Sequence, residues 1–152
     1  MELKIKESSL IDVENLKDRL RKEDIEELIA LGSEPYKALL KGYIYSNKCY
    51  SVFEGEKVIG MFGYSDYMLP KDCCSIWFLG SDESLNYPIT FHKTGKNLIK
   101  ECFKKYKIIT NRVYAENVKH IKWLERLGMT LMYFNPVYIN NKEFIEFYKI
   151  RR

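Results

Sequence analysis

"KNLIKECFKKYKIITNRVYAENVKHIKWLERLGM", residues Lys96 to Met129, changes its periodicity twice. Leu98, Ile99, Cys102, Phe103 and Tyr106 recur three to four residues apart, the stripe of an amphipathic helix. "KIITNRVYAE" then reads as a strand. From Asn117 the spacing turns helical again, with Asn117, His120, Ile121, Leu124 and Gly128 on one face, Val118 and Leu127 widening it, and Trp123 at its border. Upstream, "CCSIWFLG", Cys73 to Gly80, is apolar enough for a strand covered on both faces. Two strands joined through a helix pair in parallel, so this region predicts one parallel pair inside a mixed sheet.

Outward from it, hairpins dominate. "LKIKE" alternates as a first strand, and helices follow. Asp12 caps the first of them, with Val13, Leu16 and Leu20 on one side; a second carries Ile25, Leu28 and Ile29 to Gly32; a third restarts at Ser33 and Pro35 with Tyr36, Leu39, Leu40 and Tyr43. Cys49 to Phe53 and Lys57 to Tyr64 form a hairpin turning at Glu54, Gly55 and Glu56. Residues Ser81 to Phe91 show no clear period. "TLMYFNP" and "KEFIEFYKI" close the chain as two antiparallel strands. The chain of 152 residues is expected to be one α/β domain spanning 1–152.

Composition excludes several classes. Apolar residues make up 46% with no low-complexity tract, which argues against disorder. No stretch approaches the roughly 18 apolar residues of a membrane span, and the first residues lack a leader pattern, so a cytoplasmic protein without membrane contact is expected. Cys49, Cys73, Cys74 and Cys102 lack CxxC spacing, and His92 and His120 stand alone, so reduced thiols and no metal site are expected.

The formal charge of +4 conceals an asymmetry. Residues 1–34 hold ten acidic and six basic side chains, net −4, whereas residues 92–126 hold ten basic and three acidic ones, net +7 with His neutral. The acidic residues read as solvated helix faces. The basic segment suits a phosphorylated cofactor, an acidic partner or, more weakly, nucleic acid; solvated helix faces rich in lysine are the equal alternative.

Local chemistry is sharpest at "ITFHKTGKNLIK". A loop opening a helix gathers free N–H groups and the positive end of the helix dipole, and Lys93, Thr94, Gly95 and Lys96 would suit a phosphate cradle there. An ordinary helix start with nearby lysines is the alternative. In the later helix Asn117 is either an N-cap or a functional amide, and His120 either a packed histidine or a titrating group.

The pattern from Asn117 through Leu127-Gly128-Met129 resembles the late motif of the GNAT N-acetyltransferase superfamily, and the order of elements resembles that fold over essentially the whole chain. The resemblance implies a mixed, mostly antiparallel sheet with helices on both faces, and a cleft where two central strands splay. It implies acetyl-CoA as cosubstrate, a primary amine as acceptor, pantetheine bonded to backbone groups near Trp77, Phe78 and Leu79, and Asn117 as a further cofactor-binding residue. His92, Lys93, Thr94, Gly95, Lys96 and Asn97 align with the pyrophosphate loop, though only Gly95 matches in kind. Leu124 stands at the usual tyrosine position. His120, one turn earlier, is then the candidate acid for sulfur, Glu116 the candidate base and Tyr133 an alternative hydroxyl. "WLERLGM" and the segment Ser81 to Phe91 also resemble an acetyltransferase-like branch encoded by tailed bacteriophages. That branch keeps open a catalytically weak or inactive GNAT-fold protein that binds an acidic partner. Pairing of the final strands would give a homodimer.

Overall fold

The computed structural model describes residues 2–152. β1 (Leu3–Glu7) is followed by helices α1 (Leu10–Leu16), α2 (Lys22–Ala30) and α3 (Pro35–Tyr45), then by β2 (Lys48–Glu54), β3 (Lys57–Ser65) and β4 (Cys73–Gly80). A short 3-10 turn (Asp82–Asn86) leads into α4 (Pro88–Phe103), β5 (Ile108–Tyr114), α5 (Val118–Arg126), β6 (Thr130–Leu131), β7 (Val137–Ile139) and β8 (Lys142–Ile150). The strands form one sheet in the order β1-β2-β3-β4-β5-β8-β6, with β7 also paired to β8. Among the described residues only β4 and β5 run parallel. The mixed, mostly antiparallel sheet is the one expected. No helix among the described residues is long and apolar enough to cross a membrane.

Helices cover both faces, each over its own core. Val13, Leu16, Leu28 and Leu39 from α1 to α3 pack on Val58, Met61 and Leu79. On the other face Phe91, Leu98, Ile99 and Cys102 of α4 and Ile121 and Leu124 of α5 pack on Ile59, Cys74, Ile76, Ile109 and Val113. The alternation of the strands divides them between the layers, as the period of two requires. Ser9 rather than Asp12 caps α1: Asp12 is the third helical residue and accepts the Ser9 N–H at 2.9 Å, closing a capping box. α5 ends where Gly128 takes φ +85° and the Met129 N–H reaches back to the Leu124 carbonyl at 3.1 Å. The β7–β8 hairpin turns on Asn140 and Asn141, both at positive φ.

The decisive feature lies between β4 and β5. Their pairing covers only Cys73 with Ile108 and Cys74 with Ile109, after which the strands diverge. The Asn111 amide spans the opening gap by donating to the Ile76 carbonyl at 2.7 Å. Farther along, α2 closes the gap with side chains. Asp24 accepts the Gly80 N–H at 3.0 Å, and Glu27 accepts the Tyr114 N–H at 2.8 Å.

Candidate active site

Because Ile76 and Gly80 turn their peptide groups toward β5, pleat alternation turns that of Phe78 the same way. Across the gap the Phe78 peptide finds no partner among the described residues. The neighbouring peptides of Trp77 and Leu79 point to β3, where they stand opposite Gly63 and Met61. The expected set of three cofactor-facing backbone positions therefore reduces to Phe78. The Trp77 ring lies on the α3 side, where its Nε1 donates to Ser46 Oγ at 2.8 Å, and the Leu79 side chain is buried in the core beneath α1 and α3.

Beside Phe78, α4 and α5 enclose an open cavity of about 610 Å³. Phe78, Phe91 and Trp123 form its aromatic wall, with Phe78 5.2 Å from Phe91 and 5.7 Å from Trp123 between ring centres. Arg21, Lys93, Lys119, Lys122 and Arg126 supply its cations. Around the far side of α4, Lys93, Lys96, Asn97, Lys100 and Lys149 line a second groove. Of these cations, Lys93, Lys96, Lys100, Lys122 and Arg126 form no ion pair among the described residues. The arrangement can hold an extended, partly apolar chain that ends in anionic groups.

The phosphate loop expected at His92 to Asn97 is corrected by the structure. α4 starts at Pro88, so these six residues form helical turns whose N–H groups are spent on intrahelical bonds. The positive end of the helix dipole sits near Pro88, about two turns upstream of Gly95. Pro88 at the first helical position accounts for the early start. Thr94, buried, donates its hydroxyl to the Thr90 carbonyl at 2.8 Å. Gly95 is buried where α4 meets α5: a Cβ there would stand 2.7 Å from Leu127 and 2.9 Å from Trp123. Its smallness serves helix packing. His92 and Lys93 line the main cavity, whereas Lys96 and Asn97 line the second groove.

Of the expected catalytic residues, only His120 reaches the cavity. Its ring stands edge-on to Trp123 at 5.4 Å, and burial holds its pKa down at about 4 against the opposing pull of Asp24. His120 is therefore neutral at neutral pH. Glu116 is exposed after β5 and accepts the Tyr114 hydroxyl, which raises that phenol's pKa. Tyr133 lies beyond β6 and donates to Glu125 at 3.2 Å. Neither Glu116 nor Tyr133 lines the cavity.

Behind the cavity is a charged cluster, although its acidic members read from the sequence as solvated helix faces. Arg21 and Asp24 are 4% and 0% exposed and form an ion pair at 2.7 Å. Asn117, 1% exposed, directs its amide nitrogen at Asp24, 3.3 Å away, and Glu27, 3.4 Å away. It is not a side-chain cap for α5, despite its position. Burial, with Asp24 adding to it, lifts the Glu27 carboxyl to about 7 although the Tyr114 N–H pulls the other way. The spacing of Arg21, Asp24 and Glu27, three residues apart along one helical face, was the available signal.

No protein-family model matches the sequence, and no curated protein matches it. Solved structures do. An acetyltransferase from Bacillus subtilis in complex with CoA matches with a TM-score of 0.64 at 14% identity, over 99% of this chain and 100% of that one. Ard1 from Thermoplasma volcanium gives 0.78 at 13% identity, over 100% and 99% of the two chains. A GNAT-family acetyltransferase from Bacillus anthracis gives 0.70 at 16% identity, over 97% and 93%. The fold is that of the GNAT acyl-CoA N-acyltransferases.

Proposed function

We propose that the protein is an acyltransferase that moves an acetyl group from acetyl-CoA to a primary amine. The observation that carries this reading is the Phe78 peptide, turned unpaired into a strand gap beside an aromatic cavity with a cationic rim. A bound acetyl-CoA would supply the activated thioester. Phe78 would hold the pantetheine amides, while Lys93, Lys122 and Arg126 would hold the phosphates through side chains in place of a backbone cradle. The neutral amine forms a C–N bond to the carbonyl carbon, the C–S bond breaks with its electron pair going to sulfur, and the proton that nitrogen loses ends on the thiolate. His120, neutral and on the cavity wall, offers sulfur a hydrogen bond. Calorimetry with acetyl-CoA tests the reading, with saturable binding expected and its absence at millimolar ligand counting against it. Given binding, His120→Ala should lower kcat at least tenfold with KM for acetyl-CoA little changed. An unchanged kcat would remove His120 from the chemistry.

A second reading has its own support. α4 is helical through His92 to Asn97, and unpaired lysines extend over both grooves. These features favour a catalytically weak GNAT-fold protein that binds an acidic partner through this surface. Capture of an acidic protein with no acetyl-CoA binding would support it.

A further inference from the structure

We propose that Glu27 and Asn117, set against Asp24 in the gap between β4 and β5, form a binding site for a primary ammonium group. Asp24 and Glu27 lie three residues apart, so both carboxylates project from one face of α2 into the same gap. Asp24 is saturated: it accepts from Arg21 at 2.7 and 3.3 Å, from the Gly80 N–H and from the Asn117 amide. Glu27 is not. Its Oε1 takes the Tyr114 N–H and the Asn117 amide, and its Oε2 has no partner among the described residues.

Independently, Asn117 carries an orphan. Its Oδ1 is buried without a hydrogen-bond partner among the described residues, in a side chain whose nitrogen already reaches both carboxylates. A buried acceptor left unpaired costs about 1–3 kcal/mol, so the site lacks a donor. It also lacks a charge: Arg21 pairs with Asp24, and no cation pairs with Glu27 among the described residues. Facing the cluster from α5, His120 is neutral; from the end of β5, Tyr114 donates only its N–H, its hydroxyl being turned to Glu116. Lys119 is occupied with Glu23 at 3.8 Å. A group that only donates and carries one positive charge meets both needs. Entry is by Glu27, the part-exposed member of the group. The acidic side chains do not form a metal-holding set among the described residues.

As the acceptor site of acetyl transfer, this assignment rests on the reading above; as an ammonium site it does not. Arg21 joins the two places, since it lines the cavity and pairs with Asp24. In the transfer, Glu27 takes one proton from the ammonium, the freed lone pair forms a C–N bond to the thioester carbonyl carbon, the C–S bond breaks with its electron pair going to sulfur, and the second proton lost from nitrogen passes through water to the thiolate. Burial that holds the Glu27 carboxyl near 7 suits it to that exchange.

The test is NMR on the protein without acetyl-CoA, with butylamine and butanol as probes. Saturable shifts of the Tyr114 N–H and the Asn117 side-chain amide are expected with butylamine and not with butanol. Glu27→Gln should weaken the butylamine Kd at least tenfold, and Glu26→Gln, at an exposed neighbour, should leave it unchanged. Equal response to butanol, no saturable shift, or an unaltered Kd in folded Glu27→Gln would overturn the assignment. Should that variant not fold, the two probes on the native protein decide. Amine binding without acetyl-CoA binding in calorimetry keeps this site and removes the transferase reading; the converse keeps the transferase reading and removes this site.

Discussion

Glu27 and His120 face the same Arg21–Asp24 pair and are displaced in opposite directions. Glu27, raised from 4.5 to about 7, holds its proton longer when folded than when unfolded, so its contribution to stability falls as pH rises through that window. His120, lowered from 6.5 to about 4, takes its proton later on acidification when folded, so its contribution falls as pH drops through 6.5 toward 4. Between 4.5 and 6.5 the two oppose each other. Glu27→Gln removes the first and leaves the second. Urea unfolding across pH 5 to 8 should show the native protein losing stability relative to Glu27→Gln, by on the order of 2 kcal/mol. Parallel profiles would mean that Glu27 titrates normally. Neither displacement was readable from residue types. Asp24 and Glu27 are ordinary helix-surface residues by sequence, and only the divergence of β4 from β5 turns that face of α2 inward.

At the scale of elements, the order of most strands and helices was legible because the hydrophobic period changes at most of their boundaries. Cys73–Gly80 coincides with the strand read from its apolar run, and Gly128 ends α5 as expected. The start of α4 was not legible in the same way. Gly95 reads as a turn residue when considered locally, while Pro88 and Phe91, which extend the helical stripe backward, sit in a stretch without strong period. Packing explains the glycine. Leu127 and Trp123 come so close that a Cβ at Gly95 would force them to shift. Gly95→Ala should improve intrinsic helix propensity yet destabilise the protein by about 1–3 kcal/mol, because α4 and α5 must separate. Thermal unfolding measures this; a raised midpoint would show instead that Leu127 and Trp123 yield to the added methyl and that helix propensity decides the outcome. The short β7 was also missed: Val137–Ile139 offers only three residues, and its pairing depends on the Asn140–Asn141 turn.

Across the whole molecule, the charge asymmetry of the sequence becomes a division between layers. The acidic helices α1 to α3 cover one face of the sheet, and α4 and α5, with most of the basic segment, cover the other. The basic layer has not been neutralised internally, since its central lysines make no ion pairs among the described residues. Such a surface attracts anions at long range, and exposed side-chain cations are screened within about 10 Å at 0.1 M salt. A backbone cradle would hold a diphosphate by short hydrogen bonds that salt weakens less. With the amides of His92 to Asn97 committed to α4, phosphate binding must depend on the screened kind. Acetyl-CoA affinity should therefore fall at least tenfold between low salt and physiological salt, and the double variant Lys93→Glu with Lys122→Glu should both weaken binding and flatten its salt dependence. Calorimetry at a series of salt concentrations measures both quantities. A salt-insensitive affinity would place the phosphates on backbone groups at the start of α4, near Pro88, and would assign the exposed lysines to a macromolecular partner.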